Sequence, residues 1–167
     1  MIKLQKWEDE RQVPPNAIVV YTCLEAVHFD KDGNFVQKRV VRNRSVTTAF
    51  VYEIVDVLQG TSGDFDQYKW HHSGKSTVAE STAQTSLLGS TGNPFAGTQA
   101  EGGSSNIYQS VATCTYGASA AITEHGLFNA SDAAAGTMMD RTLFAAVNVN
   151  SGDKIQFTFS ITFTPGG

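Results

Sequence analysis

From Lys154 to Phe163 the chain alternates without a break: Ile155, Phe157, Phe159, Ile161 and Phe163 against Gln156, Thr158, Ser160 and Thr162. Period two marks a β-strand with one face on a core and the other on a wetter surface. Each large apolar side chain buried there contributes roughly 1.5–3 kcal/mol of gross stabilisation. The segments leading into it repeat the theme. Ile107–Tyr116 sets Tyr108, Ala112, Cys114 and Tyr116 against Gln109, Thr113 and Thr115, with Val111 on the polar side. Ala121–Phe128 and Thr137–Val147 read as further strands, the first with Gly126 as a bulge or close-approach site. Asn150-Ser-Gly-Asp153 is a turn before the last strand. Near the N-terminus, Ala17–Phe29 and Phe35–Asn43 flank Asp30-Lys-Asp-Gly-Asn34, which predicts a β-hairpin.

The period changes once. Over Ser45–Gln59, residues Val46, Phe50, Val51, Ile54, Val57 and Leu58 fall at helical offsets. Ser45 is a suitable N-cap and Gly60 a suitable C′ residue. This predicts a helix near 46–58, although its β-branched residues keep a strand as the alternative. Thr77-x-x-Glu80 reads as a capping box that opens a short helical turn through Leu88. Gly89–Asn106 is rich in glycine and serine and reads as a long loop, either plain surface or a docking loop with Phe95 in a partner's pocket. Residues 1–16 read as an extended arm interrupted by Pro14-Pro15. The arm either lies over its own domain or reaches a neighbouring subunit with Trp7 as anchor. The expected fold is mainly β: an antiparallel, jelly-roll-like β-sandwich over residues 17–167, with one or two short helices.

Composition narrows the function. The net charge of −4 argues against a nucleic-acid binder, which needs a basic face. No apolar run reaches the ~18 residues of a membrane span, and the first residues carry no apolar signal region. Cys23 and Cys114 are too few for a disulfide scaffold and read as two buried thiols. Asp64, Asp66, His71 and His72 invite a metal reading, but the spacing matches no calcium loop or helical His pair. Adjacent histidines on a strand also face opposite sides. Ser73-Gly-Lys-Ser-Thr77 resembles a phosphate loop, but Lys69 stands where the pattern needs its first glycine. No cofactor is expected.

Glu124, His125, Asp140 and Arg141 lie in adjacent strands and have the residue types of general acid–base chemistry. No nucleophile stands in a G-x-S-x-G context, and a cross-strand pair of Glu124 with Arg141 is the simpler reading. No enzymatic activity is expected. Lys38, Arg39 and Arg42, with Arg44 just beyond, make the hairpin's return strand basic. That suits an edge strand guarded by charge, or a surface that meets an acidic partner. Trp70, Tyr68 and His71-His72 are residue types that stack on sugars, which keeps a host-surface carbohydrate-binding module as an alternative.

Several blocks carry a likeness beyond their periodicity. They are the Asn43-Arg-Ser45 approach to the helix, Phe65-Asp-Gln-Tyr-Lys-Trp-His-His-Ser-Gly-Lys-Ser-Thr77, Gly97-Thr-Gln99, Asn106-Ile-Tyr-Gln-Ser-Val-Ala-Thr113, Ala121-Ile-Thr-Glu-His-Gly-Leu-Phe128, Gly136-Thr-Met-Met-Asp-Arg-Thr-Leu-Phe144 and Val147-Asn-Val-Asn-Ser-Gly-Asp-Lys-Ile-Gln-Phe-Thr-Phe159. Together they resemble a family of small structural proteins of tailed bacteriophages. The likeness runs from Ser45 to Phe163 and is strongest over Ala121–Phe163. Met1–Val41 lies outside it, and Trp70-His-His-Ser73 departs from the family's glycine- and threonine-rich form. The resemblance implies a virion protein made in the bacterial host cytoplasm. It implies a head decoration or cement protein on the particle exterior, or alternatively a tail, neck or fibre-attachment protein. Its implied partners are the major capsid protein or other virion subunits, and copies of itself as a dimer or trimer. Trp7, Lys38, Arg39, Arg42, Arg44 and Phe95 are the candidate contact residues.

Overall fold

A computed structural model describes residues 17–61, 65–92 and 94–165. The chain is mainly β, with two antiparallel sheets and one α-helix among the described residues. The strands are β1 (Ile18–Phe29), β2 (Phe35–Arg42), β3 (Trp70–Gly74), β4 (Phe95–Ala96), β5 (Thr98–Gly102), β6 (Ser104–Thr115), β7 (Ala120–Phe128), β8 (Met138–Val149) and β9 (Lys154–Pro165). The five-stranded sheet has the order β2-β1-β9-β6-β5 and the four-stranded sheet β4-β3-β7-β8.

The alternating last strand sits at the centre of the larger sheet. β9 pairs with β1 over its whole length and with β6 on its other side. Ile155, Phe157, Phe159 and Ile161 are buried, while Phe163 is half-buried near the sheet's end. They meet Leu24 and Ala26 of β1, Cys114 of β6, Ile122 and Leu127 of β7, and Phe144 and Val147 of β8 in one core between the sheets. The β1–β2 hairpin forms as expected, with Gly33 at φ 88° in the turn, a conformation open to glycine at no steric cost. β2 is an edge strand.

The helix α1 spans Thr48–Leu58. Thr47, not Ser45, is its N-cap: its Oγ1 accepts from Phe50 N at 3.1 Å. Ser45 cannot serve because the chain is still tied down around it. Arg44 is held to Thr22, Val46 bridges to Asp140, and Thr47 N donates to Met139 O. Gly60 stands at C′ with φ 71° as expected. The predicted stripe is right at Phe50 and wrong at Leu58, which is 82% exposed. Glu53 is buried instead, accepting from Tyr68 Oη and from Asn129 Nδ2.

Two further expectations fail. The Thr77–Glu80 capping box opens no helix. The Glu80 carboxylate instead accepts from Leu143 N at 2.5 Å, a tertiary contact that outweighs a local cap. Gly89–Asn106 is not one long loop, since it holds β4, β5 and the start of β6. Edge strands need backbone pairing more than apolar side chains, and β5 finds its pairing on β6.

Candidate functional site

β7 organises the smaller sheet. From Ile122 to Phe128 every residue is buried, so both of its faces are covered. Alternate side chains enter two different polar networks.

On the outer face, Glu124 and Arg141 form a fully buried ion pair, Nε to Oε2 at 2.7 Å. The residues sit diagonally across β7 and β8, as Glu124 faces Leu143 and Arg141 faces Gly126. The cover comes from the 75–91 segment. It leaves β3 and returns beside it, with Lys75 N donating to Gly89 O and Thr91 N to Ser73 O. The Glu124 carboxylate accepts from Gly89 N at 2.7 Å, Ser76 N at 3.2 Å and Leu88 N at 3.4 Å. Arg141 Nη1 donates to Val78 O at 3.0 Å and Gln84 Oε1 at 3.1 Å. Leu87 packs on Phe128 and Met138. Gly126 is a close-approach site there: a Cβ would lie 2.9 Å from Leu87 Cδ2.

On the inner face, Ser110, His71 and His125 form a chain. His71 Nε2 is 2.9 Å from Ser110 Oγ, and His71 Nδ1 is 2.9 Å from His125 Nε2. All three are fully buried, and Gly97 lies close over the first pair. Burial pushes the His71 imidazole down to about 3, and the neighbouring His72 adds to this. Burial also holds His125 well below the usual range, with His71 and His72 adding to it. Both rings are therefore neutral near pH 7. Asp140 is likewise buried and is pushed up to about 7 by burial, against the stabilising hydroxyl of Thr142. A serine linked to two imidazoles has the parts of a proton relay. Enclosed between the sheets, its hydroxyl cannot touch a substrate in this structure.

The residues considered for acid–base work therefore divide between two faces. Of the residues considered for metal binding, His71 and His72 are buried on opposite sides of β3, and Asp64 lies outside the described residues. Among the described residues no three His, Cys, Asp or Glu side chains come together as metal ligands. Of the residues considered for stacking on sugars, Tyr68, His71 and His72 are buried and Trp70 is half-buried against the Phe128 cluster. Cys114 is buried as expected, but Cys23 is only half-buried, and both are free thiols.

The candidate contact residues that are described have different surroundings. Trp7 and the arm over residues 1–16 lie outside the described residues. Lys38 pairs with Glu25 at 2.7 Å. Arg39 donates from Nη2 to Gln37 Oε1 at 2.7 Å and from Nε to Ala145 O at 3.3 Å, tying β2 to β8. Phe95 is half-buried against the core and pairs opposite His71. Arg42 and Arg44 do come together, at a cleft of about 580 Å³ between β2, β8 and the 75–91 segment. Ser76, Thr77 and Thr123 also line it. Those residues were not predicted as part of any site. The only hint was the Ser73–Thr77 segment, read for a phosphate loop it does not form. Comparison with known proteins gives no match to a family model, a curated protein or a solved structure.

Proposed function

We propose that the chain is a structural protein of a tailed-bacteriophage virion, and that it decorates the outside of the head. Its support is the resemblance over Ser45–Phe163, whose strongest blocks supply β7, β8 and β9. On this reading the body is a jelly-roll-like β-sandwich. The observation that carries a binding role is the outer face of the five-stranded sheet. Gln109, Gln156, Thr158, Ser160 and Glu25 alternate with the core-facing residues there, interspersed with Val27 and Val111. All of these residues are half-buried, so each keeps some exposed surface. A broad, mixed polar and apolar sheet surface suits a protein partner, since interface rims and cores combine both kinds of residue.

The mechanism is mechanical. The domain bridges neighbouring subunits of the major capsid protein and adds contacts that oppose expansion under internal DNA pressure. A specific interface buries roughly 1,200–2,000 Å² in total. Copies arranged as a dimer or trimer about a local axis bind at several points, so modest single contacts suffice. The test is cryo-microscopy of particles made with and without the protein, with copies counted per virion. Hundreds of copies on the shell support the proposal. A dozen or fewer at the neck or tail replace it with a tail-associated role, and none in the particle removes both.

A further inference from the structure

We propose that the Arg42–Arg44 cleft is the docking site of the chain's own N-terminal segment, Trp7-Glu8-Asp9-Glu10. Such docking does not depend on a role in the virion.

The first support is chemical. The cleft is lined by two arginines and by the apolar residues Val40, Leu143 and Phe144. Arg42 is exposed, and the Arg44 side chain is 44% exposed, with Glu80 at 3.5 Å as its one ionic partner among the described residues. Both can take a further carboxylate, and arginine forks bind carboxylates in bidentate fashion. In the whole sequence, Glu8-Asp9-Glu10 is the only run of three consecutive carboxylates, and a tryptophan stands directly before it. An indole for the apolar residues and acids for the arginines match the cleft in kind.

The second support is reach. β2 pairs with β1 only as far as Cys23, so the edge of β1 from Ile18 to Tyr21 has no described strand beside it. Arg44 lies at the end of that open edge, its backbone N and O bonded to Thr22 Oγ1 at 3.0 and 2.8 Å. Thr22 is about 14 Å along the strand from Ile18. The eight residues from Glu10 to Ile18 span up to about 26 Å. That length puts the acidic run within reach of Arg44, and Pro14-Pro15-Asn16 is a turn signal directly before β1. Tethering at this distance gives an effective concentration in the millimolar range, which favours the chain's own segment over a second copy.

The test uses full-length protein with Trp70→Phe, which leaves Trp7 as the sole tryptophan. Docking predicts that Trp7 is shielded from acrylamide and emits at shorter wavelength than free indole. R42E with R44E should raise its quenching severalfold, and adding E8K, D9K and E10K should restore the shielding. The shielding should not change with protein concentration. Quenching that is the same with and without the arginines overturns the proposal. So does shielding that appears only as the protein associates, which assigns the cleft to a second copy. If a variant fails to fold, trypsin cleavage after Arg11 in the unaltered chain decides instead. Docking predicts slow cleavage at low salt and severalfold faster cleavage at 1 M salt, where exposed ion pairs are screened. A rate that does not respond to salt overturns it.

Discussion

Glu124 and His125 are adjacent in sequence, face opposite sides of β7 and are both fully buried, yet the protein treats them differently. The outer side holds a charged pair, and the inner side holds neutral imidazoles and a hydroxyl. The difference follows from what covers each face. The inner face meets another sheet whose backbone is already paired, so little remains there to satisfy a charge. The outer face meets the 75–91 segment, which has no sheet or helix of its own, so its backbone groups must be paired by other means. Glu124 accepts from three of its amides and Arg141 donates to its carbonyls. The ion pair is therefore the framework of a loop as well as a link between two strands.

The largest test of this contrast is Arg141→Met. It leaves the Glu124 carboxylate buried without its counter-charge and is expected to cost about 3–5 kcal/mol in urea unfolding. Glu124→Met with Arg141→Met should recover only part, because the loop amides lose their acceptor. On the inner face, adding Ser110→Ala to His71→Phe should cost little, since its partner is already gone, and what remains is the cost of leaving His125 Nε2 unpaired. Full recovery on the outer face would break the comparison.

A second test uses pH. The Asp140 carboxyl is raised from its ordinary value to about 7 by burial. The protonated acid is thus the form the fold prefers. Its contribution is complete below the unfolded value near 4 and is lost as pH rises through 7, a difference on the order of 4 kcal/mol. Neighbouring Glu80 adds to this slope and Arg44 opposes it. Asp140→Asn should flatten the stability profile between pH 5 and 8 and exceed the parent at pH 8. The histidines have the opposite sign. His71 and His125 are lowered, so their contribution is present above about 6.5 and is lost as acid is added. Denaturant midpoints across this range separate the two slopes, and an unchanged slope in Asp140→Asn would assign the loss to another group. Smaller again is Ser110→Ala alone, which strands His71 Nε2 at an expected cost of about 1–3 kcal/mol.

What the sequence disclosed depended on range. The alternation in β9, the Asp30–Asn34 turn and Gly60 at the helix end are local signals, and all were legible. The Glu124–Arg141 pair was legible from its two strands, but its burial was not. The cover comes from a loop some fifty residues earlier that has no periodicity to announce it. Glu80 was misread for the same reason, as its local pattern fits a cap while its partner, Leu143 N, is remote. β5 stayed hidden because Thr98–Gly102 holds small and polar residues and depends on β6 for its pairing. Of the basic run, the charges were visible, but the wall of Ser76 and Thr77 that turns Arg42 and Arg44 into a cleft was not.

The finest test separates the loop from the body. Thr123 Oγ1 donates to Ser76 O at 2.8 Å, at the point where the 75–91 segment leaves the sheet. Thr123→Val keeps the shape and removes the donor, at an expected cost of about 0.5–1.5 kcal/mol. If the segment is a local unit held by a few polar ties, most of that loss should appear locally. Amide exchange should quicken at Ser76 and Gly89, whose N–H groups bond Glu124, while amides of β9 keep their protection. If β9 loosens in parallel, the segment unfolds only with the whole domain. The ion pair then belongs to the global core, and the two faces of β7 differ in chemistry alone.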